Sequence, residues 1–139
     1  MKNRFSIITI CRNSAATISL TIDSVLSQRE HGLEYIIIDG GSTDGTQDLV
    51  RLRGTAIDVF VSEPDGGIAD GFNKGITRAS GEIISLINSD DVLLPGALGK
   101  VHDYFMRNPH VEVVHGDILL YEGVRFIKRV KHLKNTRPG

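Results

Sequence analysis

The sequence predicts an α/β fold: an open, mostly parallel sheet with flanking helices and a C-terminal β-hairpin. Three observations predict it. Strand-like apolar runs alternate with helix-like runs as far as Asp91, the pattern of parallel strands joined by helical crossovers. The run from Leu33 to Ile38 is apolar at nearly every position, as in a strand buried on both faces. Polar residues gather where the runs end, the end of an open α/β sheet at which ligands bind.

The elements follow in order. Phe5 to Ile10 reads as the first strand. Asn13 or Ser14 can cap a helix whose apolar face is Ile18, Ile22, Val25 and Leu26, at helical spacing. Leu33 to Ile38 is the second strand. Gly40 to Thr46 is a loop running into a short helix through about Arg53. Ile57 to Val61 is the third strand, and Ser62 to Gly67 a loop with Pro64 and two glycines. Ile68, Phe72 and Ile76 share one face of the next helix, which reaches about Ser80. Glu82 to Ile87 is the fourth strand, read as buried. Pro95 opens a helix with Leu98, Val101 and Phe105 inward. Val111 to His115 reads as a further strand. Asp117 to Tyr121 and Val124 to Val130 form a hairpin turning at Glu122 and Gly123. No internal repeat or interdomain linker interrupts the 139 residues, so residues 1–130 read as one domain and 131–139 as a basic tail.

Composition narrows the function. No apolar run approaches the ~20 residues needed to span a bilayer. The basic start is followed by an apolar stretch too short and too β-branched for a signal-peptide core, so the chain reads as cytoplasmic. The lone Cys11 excludes an internal disulfide and a zinc cluster, and reads as a packed thiol. Net charge is −1, which argues against a nucleic-acid binder. No acid follows Glu122, whereas Arg125, Lys128, Arg129, Lys131, Lys134 and Arg137 do, with His132 among them. That basic end reads as a solvated tail, with contact to anionic lipid at the inner membrane face, or to phosphates, as the sharper readings. The histidines, His31 in a turn among them, show no metal-ligand spacing.

The stretch Ile84 to Asp91 carries the strongest chemical signal. An apolar run leads into Asn88, Ser89, Asp90 and Asp91. At ~5 Å and an effective dielectric of about 20, two carboxylates repel by roughly 3 kcal/mol. A divalent cation with oxygen ligands offsets that cost; the bland alternative is a turn or helix cap. The first strand ends at Thr9, Cys11, Arg12 and Asn13, the second at Asp39, and the third at Glu63, Asp65, Gly66 and Gly67. Asp39 can accept hydrogen bonds from a base N–H or ribose hydroxyls, or simply cap its turn. Gly71 and Gly75 inside a helix cost up to ~1 kcal/mol each relative to Ala, which close packing against a sheet or ligand explains. Asp70, Asn73 and Lys74 lie within about one turn of that helix. Lys74 can face a phosphate or a base carbonyl, or simply solvent. The dinucleotide glycine fingerprint and the Gly-Lys-Ser/Thr phosphate loop are both absent.

Together these residues resemble the family 2 glycosyltransferases, inverting enzymes of the Rossmann-like GT-A fold. The resemblance covers about Ser6 to Asp117. It rests on Ser6 to Asn13, on Ile36 to Thr46, and on Ser62 to Gly75 followed by Asn88 to Asp91. The detail is nearest to bacterial enzymes of polysaccharide biosynthesis. It implies that Thr9 and Asp39 hold base and ribose, with Arg12, Asn13, Asp65, Gly67, Asn73, Lys74, Asn88 and Asp90 also around the nucleotide. It implies that Asp90 and Asp91 match the acidic DXD-type motif, one on ribose and one on Mn2+ or Mg2+. Asn88 stands where the family often has a further Asp. The donor is then a UDP- or GDP-sugar and the acceptor a saccharide or lipid-linked hydroxyl. The family's general base lies beyond the matched region, which reads as the nucleotide-sugar part of a longer enzyme; Asp117 is the one weak candidate in this chain. Three rivals stand beside this reading: a non-catalytic nucleotide-sugar module, a nicotinamide-dependent dehydrogenase with Asp39 on ribose, and a nucleotidyltransferase.

Overall fold

The computed structural model describes residues 4–29 and 32–131. His31 and the tail beyond Lys131 lie outside the described residues. The chain forms two compact units, one up to Lys100 and one from Val101 on.

The first unit is built on a four-stranded sheet in the order β3-β2-β1-β4, made of β1 (Phe5–Cys11), β2 (Leu33–Asp39), β3 (Val59–Ser62) and β4 (Ile83–Asn88). Every pair is parallel. Cys11 lies opposite Asp39, Ile10 opposite Asn88, and Asp39 opposite Ser62. Three helices belong to the sheet: α1 (Ile18–Leu26), α2 (Thr46–Arg51) and α3 (Ile68–Ile76). Right-handed crossovers send α1 and α2 to one face and α3 to the other, because β1 leads outward to β2 whereas β3 returns past β1 to β4.

The apolar runs dictate this arrangement. β1 and β2 are central and buried on both faces, with Ile7, Ile8, Tyr35, Ile36, Ile37 and Ile38 fully inaccessible. Ile8, Ile36 and Ile38 form the core beneath α3, joined by Ile10, Val59, Val61 and Phe72. Ile18, Ile22 and Val25 are buried along α1, as their spacing predicts.

Several boundaries differ from the sequence reading. α1 begins at Ile18, not after a side-chain cap: Ser14 offers its backbone carbonyl to the amides of Thr17 and Ile18. Asn13 adopts a left-handed φ of 49°, and both side chains reach other loops. β3 begins at Val59, because a 3-10 turn at Gly54–Ala56 occupies the chain before it. α3 does not bury Ile68 and Ile76, which are 70% and 40% exposed. Its buried face holds Gly71 and Gly75. A Cβ on Gly75 would sit 2.3 Å from Ile8 Cγ2, and one on Gly71 3.1 Å from Ile10 Cγ2; the glycines let the helix backbone lie directly on β1. β4 is an edge strand and only half covered, with Ile84 44% and Leu86 47% exposed.

Gln28 ties the chain after β4 to α1. Its amide donates to Leu94 O and accepts from Leu98 N, at the start of α4 (Ala97–Arg107). The second unit holds the hairpin, β5 (Ile118–Glu122) paired antiparallel with β6 (Arg125–Val130). Its turn is at Gly123 and Val124, and Tyr121 meets Phe126 edge-on. Val111 to His115 forms no strand: among the described residues it joins neither sheet, and a strand outside a β-ladder is not stable. No helix among the described residues is long and apolar enough to cross a membrane.

Candidate functional site

Because all four strands are parallel, Cys11, Asp39, Ser62 and Asn88 emerge at one edge of the sheet. Chain order reverses between β1 and β4, so the crevice outside that pair is a topological switch point, the expected ligand position in such a sheet.

The centre of this edge is Asp39, which is fully buried. A buried carboxylate is stable only when its lone pairs are occupied. Oδ1 accepts from Ser42 Oγ and from the Cys11 thiol at 3.6 Å. Oδ2 accepts from Ser42 N at 3.0 Å and Ser62 Oγ at 2.7 Å. Burial pushes this carboxyl up, but the bonds from Ser42, Ser62 and Cys11 together outweigh it and hold it below the usual carboxylate range. Burial, and then the neighbouring Asp39, push the Cys11 thiol up, so Cys11 remains a protonated donor.

Around Asp39 the β1–α1 and β2–α2 loops are stitched together. Asn13 N donates to Ser42 Oγ at 2.7 Å, and Asn13 Oδ1 accepts from Thr43 N at 2.9 Å. Ser14 N donates to Thr46 Oγ1 at 2.8 Å, and Ala15 N to Asp44 Oδ2 at 3.0 Å. Asp44 Oδ1 accepts from Thr46 Oγ1 at 2.6 Å. These bonds keep Asp44's carboxyl below its ordinary value, Thr46 contributing most.

The β3–α3 loop lies over the same edge. Asp65 accepts from Gly67 N at 2.9 Å, and its Oδ2 would stand 2.8 Å from a Cβ on Gly40. Gly67 has a φ of 109°, a conformation that favours glycine. Lys74 does not point out alone: Nζ lies 3.0 Å from Glu63 Oε1, 3.3 Å from Asp70 Oδ2 and 3.3 Å from Pro64 O. The bond to Glu63, then that to Asp70, raises its pKa. Lys74 therefore clamps this loop. Asn73 is exposed on the same helix.

The end of β4 is different in kind. Asn88, Asp90 and Asp91 are exposed. Asn88 Nδ2 donates to Asp91 Oδ2 at 3.2 Å, and Asp91 N to Asn88 O at 3.2 Å. Ser89 Oγ shares a 2.7 Å hydrogen bond with Ser14 Oγ, joining the β4 end to the β1 end.

The edge thus collects Arg12, Asn13, Asp39, Asp65, Gly67, Asn88, Asp90 and Asp91 from strand ends and loops, with Lys74 reaching the β3–α3 loop from α3. Thr9 is not exposed on it: the residue is fully buried, its hydroxyl 3.0 Å from the Tyr35 phenol. Asp117 belongs to the second unit, where Arg129 Nε donates to its Oδ2 at 2.6 Å and the same guanidinium pairs with it again. Ser42 and Ser62, which the sequence reading left without roles, hold the Asp39 carboxylate, and Ser89, likewise without a role there, bonds to Ser14. The density of hydroxyls after each strand was their only signal.

The chain also matches known proteins. The model described as Glycosyl transferase family 2 matches residues 6–138. The chain belongs to glycosyltransferase family 2. Among its relatives, an uncharacterised glycosyltransferase of Nostoc sp. (strain PCC 7120) is 32% identical over 115 residues, or 81% of this chain and 36% of the relative. A PGL/p-HBAD biosynthesis glycosyltransferase of Mycobacterium bovis is 28% identical over 120 residues, covering 84% of this chain and 47% of the relative. The chain therefore spans less than half the length of these two relatives. Two solved structures share the fold. The mannosyltransferase PcManGT of Pyrobaculum calidifontis, in complex with GDP-Man and Mn2+, superposes with a TM-score of 0.67 at 25% identity, over 76% of this chain and 33% of that one. S. aureus TarS 1–349, in complex with UDP-GlcNAc, gives 0.69 at 22% identity over 76% and 32%. The open parallel sheet is the GT-A arrangement expected of a family 2 chain.

The acidic turn fits a divalent cation in one specific way. No group of three or more His, Cys, Asp or Glu side chains among the described residues could enclose a metal. Two exposed carboxylates, one oriented by Asn88, instead suit a cation that takes its remaining ligands from phosphate oxygens and water, as Mg2+ commonly does.

Proposed function

We propose that this chain is the nucleotide-sugar-binding part of an inverting, metal-assisted glycosyltransferase whose donor is a UDP- or GDP-sugar. The observation that carries the reading is the placement of the Asp39 and Asp90/Asp91 ends on either side of β1, at the switch point, where a nucleoside diphosphate can span both.

In this reading the nucleoside lies over the β1, β2 and β3 loops. Asp39 fixes from below the Gly40–Thr46 loop, over which base and ribose would lie. Thr9 supports that floor through Tyr35. Arg12 is exposed, and its side chain makes no hydrogen bond or ion pair among the described residues, so it is available to a phosphate. Asn13, Asp65, Gly67 and Asn73 line the rim, and Lys74 holds the Asp65 loop in place. Asp90 and Asp91 would hold Mn2+ or Mg2+ with Asn88 beside them. A bound cation would offset the negative charge developing on the departing phosphate. The acceptor hydroxyl, on a saccharide or a lipid-linked saccharide, attacks the anomeric carbon opposite the phosphate. Its oxygen forms the new bond as the sugar–phosphate bond breaks, and a general base takes the proton.

Calorimetric titration of UDP and GDP, with Mn2+ and with chelator, tests this. The expected outcome is binding of at least one nucleotide, tightened by Mn2+. A folded protein that binds neither nucleotide in Mn2+ overturns it. A second reading, binding without transfer, is favoured by the occupation of Asp117 by Arg129, which leaves that carboxylate poorly placed to act as a base. Turnover of a bound sugar nucleotide by this chain would exclude it.

A further inference from the structure

Beyond Asn88 the ladder between β4 and β1 has ended, yet the acidic turn must still be held at a fixed distance from the Asp39 side. Two of its hydrogen bonds, between Asn88 and Asp91, are internal to the turn. Among the side-chain hydrogen bonds of the described residues, the bond between Ser89 Oγ and Ser14 Oγ, at 2.7 Å, is the one that ties residues 89–91 to another element. The next tie is Leu93 N to Ser24 Oγ at 3.1 Å, already past the carboxylates.

Ser14 is itself a hub. Its carbonyl starts α1 by accepting from Thr17 and Ile18. Its amide donates to Thr46 Oγ1, and Thr46 Oγ1 donates to Asp44. One continuous path therefore runs from the β2–α2 loop through Thr46, Ser14 and Ser89 to Asp90. It crosses β1 at the switch point, where a ligand spanning both ends would lie.

We infer that the Ser14–Ser89 hydroxyl bridge is a positioning device that sets the acidic turn against the nucleoside side of the site. It couples the contribution of the metal to nucleotide binding. Neither serine need touch the cation. Removing the bridge leaves Asp90 and Asp91 in the chain but lets their turn drift relative to the bound nucleotide. The inference rests on the proposed nucleotide-sugar site, and two readouts separate its failure from that of the site.

The first readout needs no ligand. Amide hydrogen exchange at Asp90 and Asp91 is compared in wild type, Ser14→Ala, Ser89→Ala and the double variant. Each single change should speed exchange, and the double should add little to either, as for two groups of one interaction. Additive effects, or none, would overturn the bridge as a tie. The second readout is the ratio of UDP or GDP affinity with Mn2+ to that with chelator. Ser89→Ala should lower this ratio by about 10-fold, the lower end of the effects seen when groups supporting metal ligands are removed. Affinity in chelator should hold, and Ser89→Thr should restore the ratio. A merely structural defect would weaken both affinities alike. An unchanged ratio in a wild type that binds nucleotide sinks the inference. A wild type that binds no nucleotide but shows the coupled exchange effect keeps the tie and sinks the proposed site.

Discussion

The ends of β2 and β4 both present carboxylates at the same edge of one sheet, and they are built on opposite principles. Asp39 is fully buried, and donors from Ser42, Ser62 and Cys11 occupy both oxygens. Asp90 and Asp91 are exposed, and a single hydrogen bond from Asn88 reaches one of them. The difference follows from what each charge must do. A carboxylate inside the fold must find its partners in the protein, because an unpaired buried charge costs several kcal/mol. A carboxylate meant for a cation must keep its lone pairs open until the cation arrives. The Asp39 end is organised by the protein's own donors, whereas in the proposed site the Asp90/Asp91 end would be completed only by a cation.

Replacing Asp39 by Ala should give the largest effect. It leaves the Ser42 amide and the hydroxyls of Ser42 and Ser62 without their acceptor inside the fold. A destabilisation of roughly 3 kcal/mol is expected, in line with the loss of a buried hydrogen-bond network. Urea denaturation followed by circular dichroism measures it. A loss as small as that of an exposed residue would erase the contrast between the two strand ends.

The same contrast sets the acid limb of stability. Asp39 and Glu34 both have folded-state pKa values below their ordinary ones. In each case burial pushes up, and hydrogen bonds, from Ser42 and Ser62 or from Ser6 and Ser80, outweigh it. A depressed carboxylate contributes stability that is fully present above the unfolded-state pKa, at about 4, and lost as pH falls through the folded-state value. Unfolding midpoints should therefore fall on acidification below about pH 4. Asp39→Asn should show a shallower fall, with Glu34 still contributing. An Asp39→Asn profile parallel to wild type would show that Asp39 has no such role.

The contrast was partly legible in the sequence, and the boundary is physical. Apolar runs of strand length announced β1 and β2, since a strand buried on both faces is apolar at most positions. The polar clusters after each run announced the site edge. What the sequence did not disclose lies in partners distant along the chain. Asn13 and Ser14 read as helix caps because capping is local, but they bond to residues about thirty positions away, and Ser14 to one seventy-five away. Ile68 and Ile76 matched a helical stripe, yet Gly71 and Gly75 face the sheet, because the closeness of α3 to Ile8 and Ile10 selects the side without side chains. Val111 to His115 has the composition of a strand but joins neither sheet among the described residues, and β-propensity expresses a fit to neighbours rather than an intrinsic preference.

The smallest expected change in stability sharpens the contrast from the other side. Asp91 is exposed, carries only the amide of Asn88, and borders Asp90, whose charge it repels. Its replacement by Ala removes one weak bond and one repulsion, which act in opposite directions. The change should stay within about 0.5 kcal/mol, as for most exposed positions, and slight stabilisation is the expected sign if the repulsion is the larger part. The same substitution should abolish most of the Mn2+-dependent gain in nucleotide affinity, because one of two carboxylates available to the cation is gone. Urea denaturation and calorimetry on one preparation give both numbers. A variant that unfolds as readily as Asp39→Ala would mean that the acidic turn supports the fold, and the division between an organised end and an open one would fail.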